Sequence, residues 1–184
     1  MFSTGDILKT TGWSRSNLQK MIRGGFILSQ GGDSSVISDK FEEGKNRQFS
    51  WHTVVCANTI SWGAKLGIPL DAAKEAAWSF AYTGGAVAYW EGDEEPINRA
   101  PAALFDDNET FLVWRRLQDG NYYSSILNEP PEIGADGLFS LTHRLDVDPV
   151  IDGMTVLRLF VPMDSLASQL GVPRSVIYGG RADR

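Results

Sequence analysis

The chain opens with two short segments whose apolar residues recur at the spacing of an α-helix. Thr4 is a candidate N-cap for the first segment, and Gly12 ends it. Ser14 is a candidate N-cap for the second, which ends at Gly24 and Gly25. The apolar positions of the second segment are predicted to face the core: Leu18, Met21 and Ile22. This pattern predicts two helices joined by a tight turn.

After these helices the chain becomes rich in Gly, Ser and Asp. The segment between Phe26 and Phe49 alternates short apolar pairs with long polar stretches. Such a pattern predicts a long β-hairpin or wing, with Phe49 turned inward as its anchor. The stretch is longer than a minimal wing requires.

Two longer helices are predicted to follow the wing. Ser50 is the candidate N-cap of the third helix, and Gly67 ends it. Pro69 opens a fourth helix that runs to a break at Gly84 and Gly85. One stripe of the third helix is predicted to be core: Trp51, Val55, Trp62 and Leu66.

From residue 86 onward the helical periodicity fades. Residues 110–116 and 121–127 predict a β-hairpin that turns at Asp119 and Gly120. A further strand is predicted at 155–161, with another candidate at 138–142. Asp164 is the candidate cap of a short helix ended by Gly171. The second half of the chain is therefore predicted to be a small α+β domain.

Composition narrows the class of protein. With 184 residues and a 42% apolar share, the chain is long enough for one large or two small domains. The single cysteine, Cys56, excludes an internal disulfide and a thiol cluster, and its apolar neighbours predict a buried position. Because we find neither a leader segment nor an apolar run of membrane length, we expect a cytoplasmic protein with no membrane partner.

Charge is distributed unevenly along the chain. The formal net charge is −6, yet residues 1–70 carry eight lysines and arginines against five acidic residues, whereas the rest carries nine against eighteen. A mildly basic head on an acidic body suits a nucleic-acid-binding module with an appended domain, because only the head must face phosphate. Chance segregation of surface charge gives the same pattern.

The order of these parts resembles the DNA-binding domain of the MerR family. The resemblance rests on FSTGDILKTTGWSRSNLQKMIRGGFI, on GKNRQFSWHTVV and on the helix break KLGIPLDAAKEA, and covers somewhat under half of the chain. In that family the second helix enters the major groove, and the wing, closed by an Arg-x-aromatic run, grips the DNA backbone. Arg47 and Phe49 match that run here.

Two features depart from the family. Promoter-remodelling members follow this domain with a long coiled-coil helix that forms the dimer, whereas Gly84 and Gly85 stop the fourth helix here and no heptad pattern follows. The metal-sensing members use several cysteines, and this chain has only Cys56. The resemblance therefore implies DNA binding without metal sensing, and it leaves open how a dimer forms.

The resemblance also implies which residues contact DNA. Side chains of the second helix that suit base edges in the major groove are Arg15, Ser16, Asn17, Gln19 and Lys20. Those that suit phosphate are Arg23, Lys45, Asn46 and Arg47. Exposed Lys and Arg are common on protein surfaces, so the alternative interpretation is a solvated helix face and a loop.

No catalytic or metal-binding motif is found in the sequence, so we expect neither an enzyme nor a cofactor. The sequence predicts an α+β protein: residues 1–83 form a MerR-like winged helix-turn-helix, and residues 86–184 form an acidic domain for dimerisation or effector binding. The predicted function is sequence-specific binding of double-stranded DNA as a transcriptional regulator. We expect a homodimer, with a protein or small-molecule effector at the C-terminal domain. The alternatives are an excisionase-like or packaging accessory protein of a mobile element and a winged-helix protein-interaction module.

Overall fold

The chain divides into two structural units, with the boundary between Tyr82 and Thr83. A computed structural model describes residues 1–27, 47–83, 99–105, 109–128, 130–131 and 151–178. Helices and small antiparallel sheets occur together in these ranges, so the fold is α+β, as predicted. None of the helices in these ranges is long and apolar enough to cross a membrane.

The first unit is built mainly from helices. Its elements, in chain order, are β1 (Phe2–Ser3), α1 (Thr4–Thr11), α2 (Arg15–Arg23), β2 (Gln48–Phe49), α3 (Trp51–Lys65) and α4 (Leu70–Trp78), which continues into a π-helical turn (Ser79–Thr83). The predicted helix break at 84 and 85 lies outside the described residues, as do residues 28–46 of the predicted wing.

Local sequence sets the ends of the first two helices. Ser3, rather than the predicted Thr4, caps α1: its hydroxyl accepts from the Asp6 N–H at 3.2 Å, and its own N–H donates to the Asp6 carboxylate at 2.8 Å. Gly12 ends the helix at a φ of 75°, in the left-handed region. Ser14 caps α2 as predicted, because its Oγ accepts from the Asn17 N–H at 3.1 Å.

Helix α3 is the central element of the first unit. Its residues are buried without interruption from Thr53 to Ser61, because α1 and α4 both pack against it. The predicted single stripe is therefore wrong in part. Val55 is fully buried, Trp51 and Trp62 are half-buried, and Leu66 is 45% exposed.

Buried polar groups fasten α1 to α3. The Asn58 amide donates to Thr10 Oγ1 at 3.0 Å and to the Val54 carbonyl at 2.9 Å. Ser61 Oγ donates to the carbonyl of Thr11 at 2.9 Å. Because buried polar groups are stable only when hydrogen-bonded, these contacts fix where the C-terminal end of α1 lies along α3.

A two-residue ladder closes the 26–49 segment onto the start of the chain. β1 and β2 pair in antiparallel fashion, with Phe2 opposite Phe49 and Ser3 opposite Gln48. Phe49 is fully buried, which confirms that its side chain is turned inward, and the Phe2 ring lies 6.1 Å from that of Trp51. The ladder brings the residue before it, Arg47, to a fixed place beside the helices.

The second unit is organised around a three-stranded antiparallel sheet. Its elements in the described ranges are β3 (Phe111–Leu117), β4 (Tyr122–Leu127), β5 (Ile151–Arg158), α5 (Phe160–Leu170) and α6 (Arg174–Ile177), with strand order β4-β3-β5. The predicted hairpin is confirmed as β3 and β4, and the Asn121 N–H donates to Asp119 Oδ1 at 2.9 Å in its turn. The central strand β3 is buried on both faces, as Leu112 and Val113 show.

The predicted bounds of the last strand and helix are wrong. The strand ends at Arg158, where the Leu159 N–H donates to the Thr110 carbonyl at 2.8 Å, and α5 begins at Phe160 instead of after Asp164. Val161, predicted to end the strand, belongs to the helix. The prediction erred because an apolar pattern this short fits the period of a strand and that of a helix. Gly171, at a φ of 65°, ends α5 as predicted. The candidate strand at 138–142 lies outside the described residues.

We predict that Asn58→Ala destabilises the first unit by about 2 kcal/mol, because it leaves buried hydrogen-bonding groups without their partner. Urea unfolding followed through the NMR signals of α1 and α3 measures this. Lys65→Ala is the matched control, since Lys65 is an exposed residue of the same helix; we expect it to change stability by less than about 0.5 kcal/mol. Equal effects of the two substitutions would contradict the role given to Asn58.

We also predict a pH-dependent contribution from the α1 cap. The backbone N–H and then the hydroxyl of Ser3 hydrogen-bond to the Asp6 carboxylate and lower its pKa below the ordinary 3.8, with a smaller contribution from Lys9. A lowered pKa stabilises the fold above 3.8, and this contribution is lost as the pH falls through the folded-state value. Asp6→Asn should therefore be less stable than the wild type at neutral pH and equal to it in strong acid. A stability gap that does not change with pH would contradict this assignment.

Candidate nucleic-acid interface

Helix α2 is anchored on one side and exposed on the other. Leu18 is only 2% exposed, and Met21 and Ile22 are half-buried. The exposed residues of the helix include all six of its predicted DNA-contacting positions: Arg15, Ser16, Asn17, Gln19, Lys20 and Arg23. The helix contains no acidic residue, so its exposed side carries only positive charge.

The six positions do not all lie on one face of the helix. At about 100° per residue, Ser16, Gln19, Lys20 and Arg23 fall within one arc of about 100° on the side away from Leu18. The remaining two lie outside that arc, Arg15 by about 40° on one side and Asn17 by about 60° on the other. We call the four central residues the α2 face. It combines an amide, a hydroxyl and two cations, the groups that contact base edges and phosphates.

The folded chain brings the positive charges of Arg23 and Arg47 close together. Arg47 is half-buried at the start of the β1–β2 ladder. Burial lowers the pKa of its guanidinium group, and the nearby positive charge of Arg23 lowers it further. The last turn of α2 and the base of the predicted wing therefore place two cations in one region. Lys45 and Asn46, predicted to act with Arg47, lie outside the described residues.

Guanidinium groups bind phosphate through charge-assisted hydrogen bonds, in which two N–H groups can donate to one phosphate. Two guanidinium groups in one region can therefore donate to the same stretch of a phosphate backbone. Sequence spacing gives no hint of this pairing, because Arg23 and Arg47 are separated by the whole 26–49 segment. It follows from the ladder that returns the chain to α1.

The C-terminal end of α2 is held by an aromatic contact. The Phe26 ring lies over Gly24, where an added Cβ would be 2.5 Å from the ring, and Lys74 Nζ lies 4.3 Å from the ring centroid. Gly24 has ordinary helical backbone angles, so a small residue is needed here for space. This stack connects the end of α2, beside Arg23, to α4.

A second aromatic cluster holds the start of α3. The ring of His52 stacks on Tyr82 with centroids 6.4 Å apart. Tyr82 also lies 4.7 Å from the Trp78 ring and 3.2 Å from Thr53 Oγ1, to which its hydroxyl donates. The π-helical turn after α4 places Tyr82 at this position. These contacts fix the first turn of α3, which directly follows the ladder that bears Arg47.

Cys56 is a core residue, as predicted. It is fully buried, and its Sγ lies 3.7 Å from the Phe26 carbonyl. Burial raises the pKa of the thiol to about 12, against a smaller lowering effect of Tyr82. In the part of the chain that the structure describes, no three or more His, Cys, Asp or Glu side chains are grouped to hold a metal ion.

No protein-family model, curated protein or solved structure matches this chain. The assignment of function therefore depends on the residues themselves and on how the fold positions them.

We predict that Cys56 does not react with thiol reagents in the folded protein at neutral pH, because only the thiolate is nucleophilic and burial keeps the thiol protonated. Mass spectrometry after incubation with iodoacetamide measures this. The same reagent should modify the protein fully in denaturant, which serves as the positive control. Rapid modification of the native protein would show that this part of the core opens readily.

Proposed function

We propose that the first unit binds double-stranded DNA, with Ser16, Gln19 and Lys20 of the α2 face in the major groove and with Arg23 and Arg47 on the phosphate backbone. The observation that carries this proposal is that all six DNA-contacting positions predicted on α2 are exposed, on a helix that contains no acidic residue. Arg47 lies near enough to Arg23, the last residue of this helix, for the positive charge of Arg23 to lower the pKa of the Arg47 guanidinium.

The order of elements supports a winged helix-turn-helix of the MerR type. Helices α1 and α2 are joined by three residues that include Gly12, as in DNA-binding helix pairs. The β1–β2 ladder closes the long segment between α2 and α3 at the position expected for a wing. In such folds the second helix enters the groove, and residues at the wing contact the backbone.

The chemistry of the α2 face supports recognition of sequence as well as of charge. The Gln19 amide suits the paired donor and acceptor of adenine, and Lys20 suits the acceptors of guanine. Contacts to phosphate carry no sequence information. We assign this role, contact with phosphate alone, to Arg23 and Arg47. The division of roles predicts a transcriptional regulator that binds a short, defined site.

Regulators with such helices bind two half-sites as dimers. We therefore propose a homodimer on a repeated half-site, with the second unit supplying self-association or an effector site.

We predict that the full-length protein enriches a shared motif from a genomic-fragment library and that its affinity falls as salt rises. Arg47→Gln should weaken binding to every sequence alike and lower the salt slope by about one. Lys65→Gln is the matched control: it removes one exposed charge at the far end of α3, about 22 Å along the helix from the ladder. No enrichment, or an equal loss with Lys65→Gln, would contradict the proposal.

Gln19→Ala tests sequence recognition separately. We expect it to cost about 1–3 kcal/mol at one base pair and to relax the motif there, while the salt slope stays unchanged. Selection from a randomised site with wild type and variant in parallel measures this. If the two proteins selected the same motif, Gln19 would not read a base.

A further inference from the structure

The three-stranded sheet of the second unit presents arginines that differ in their partners. Arg116 pairs with Asp152, and Arg158 pairs with Glu109, all at positions that water reaches. Arg115 is half-buried, and Nη1 of its guanidinium donates to the neutral hydroxyl of Ser125. Among the residues that the structure describes, no carboxylate is paired with Arg115.

The register of the sheet defines what surrounds Arg115. Tyr123 on β4 and Met154 on β5 lie directly opposite it, so their side chains share its face of the sheet. Ser125 and Val156 both pair with Val113, two positions along β3, and therefore lie on the same face. Arg116, the next residue along, lies on the opposite face because side chains alternate along a strand.

This face combines one cation with accessible apolar surface. Tyr123 is 59% exposed and Val156 is 40% exposed, whereas Val113 on the central strand of the same face is fully buried. A half-buried charge is unfavourable because burial removes part of its hydration, and the hydroxyl that Arg115 contacts among the described residues carries no compensating charge. Burial alone lowers the pKa of the Arg115 guanidinium. A bound anion would offset both the cost of burying the charge and the lowering of the pKa.

We propose that Arg115, Ser125, Tyr123, Met154 and Val156 form a binding site for a small organic carboxylate. The planar guanidinium presents N–H donors beyond the one used by Ser125, and two of these match a carboxylate in paired geometry. The apolar body of the ligand packs on Tyr123, Met154 and Val156. This site is independent of the proposed DNA binding, and its test uses no DNA.

The experiment is an NMR titration of the ¹⁵N-labelled full-length protein with benzoate at constant ionic strength. Benzamide, the neutral molecule of nearly the same shape, is the ligand control. We expect saturable shifts of the Arg115 Nε–H and of the Tyr123 and Ser125 amides with benzoate, and none with benzamide. Absence of saturable shifts at these groups, or equal shifts with benzamide, would overturn the proposal. Inorganic phosphate that binds where benzoate does not would overturn the choice of a carboxylate.

Three variants test the residues. Arg115→Gln should abolish benzoate binding without lowering the thermal midpoint of unfolding, because it removes a half-buried charge and keeps a partner for Ser125. Arg116→Gln, the matched control on the opposite face, should bind benzoate as the wild type does. Tyr123→Ala, a change at an exposed position, should weaken benzoate binding several-fold. It provides an independent test of the site if Arg115→Gln does not fold. Unchanged binding in Arg115→Gln, or unchanged binding in Tyr123→Ala, contradicts the site.

Discussion

The burial of α3 between α1 and α4 is the constraint on which the first unit depends. A helix packed on more than one side has no exposed face for polar residues, so Asn58 and Ser61 must find partners within the protein. They find them at Thr10 and Thr11, at the end of α1. The turn and α2 follow from there, so the position of the α2 face is set by hydrogen bonds made several residues earlier.

The same central helix fixes the other half of the candidate interface. Ser50 caps α3 and directly follows Phe49 of the β1–β2 ladder, so the start of α3 and the place of Arg47 are determined together. The stacking of His52 on Tyr82 holds this turn from the other side, and the contact of Phe26 with Gly24 holds the end of α2. Two cations distant in sequence are thus placed near enough for one to lower the pKa of the other.

Local signals in the sequence predicted local structure well. Gly12, Ser14 and Gly171 act at helix ends through their own backbone or side chain, and the turn at Asp119 forms within a few residues, so each was predictable. The one-residue error at the α1 cap reflects neighbouring hydroxyls, Ser3 and Thr4, that satisfy the same pattern.

Features that depend on tertiary packing were not predictable from spacing. The stripe predicted on α3 is wrong in part because a helical segment buried on every side, here Thr53 to Ser61, has no periodicity to detect. Helical spacing was enough to predict which α2 residues are exposed. The placement of Arg47 near Arg23 depends on the β1–β2 ladder, which the sequence pattern does not reveal. The different surroundings of Arg115 and Arg116 depend on the strand register, which adjacent positions in a sequence do not reveal.

The central claim is that α2 and the start of the β1–β2 ladder act as one DNA-binding surface. The most direct measurement is NMR chemical-shift mapping of the full-length protein during titration with a duplex selected from genomic DNA. The account predicts that the largest shifts fall on Arg15–Arg23 and on Arg47, together in one titration. Shifts confined to the second unit, or shifts at α2 with none at Arg47, would contradict it.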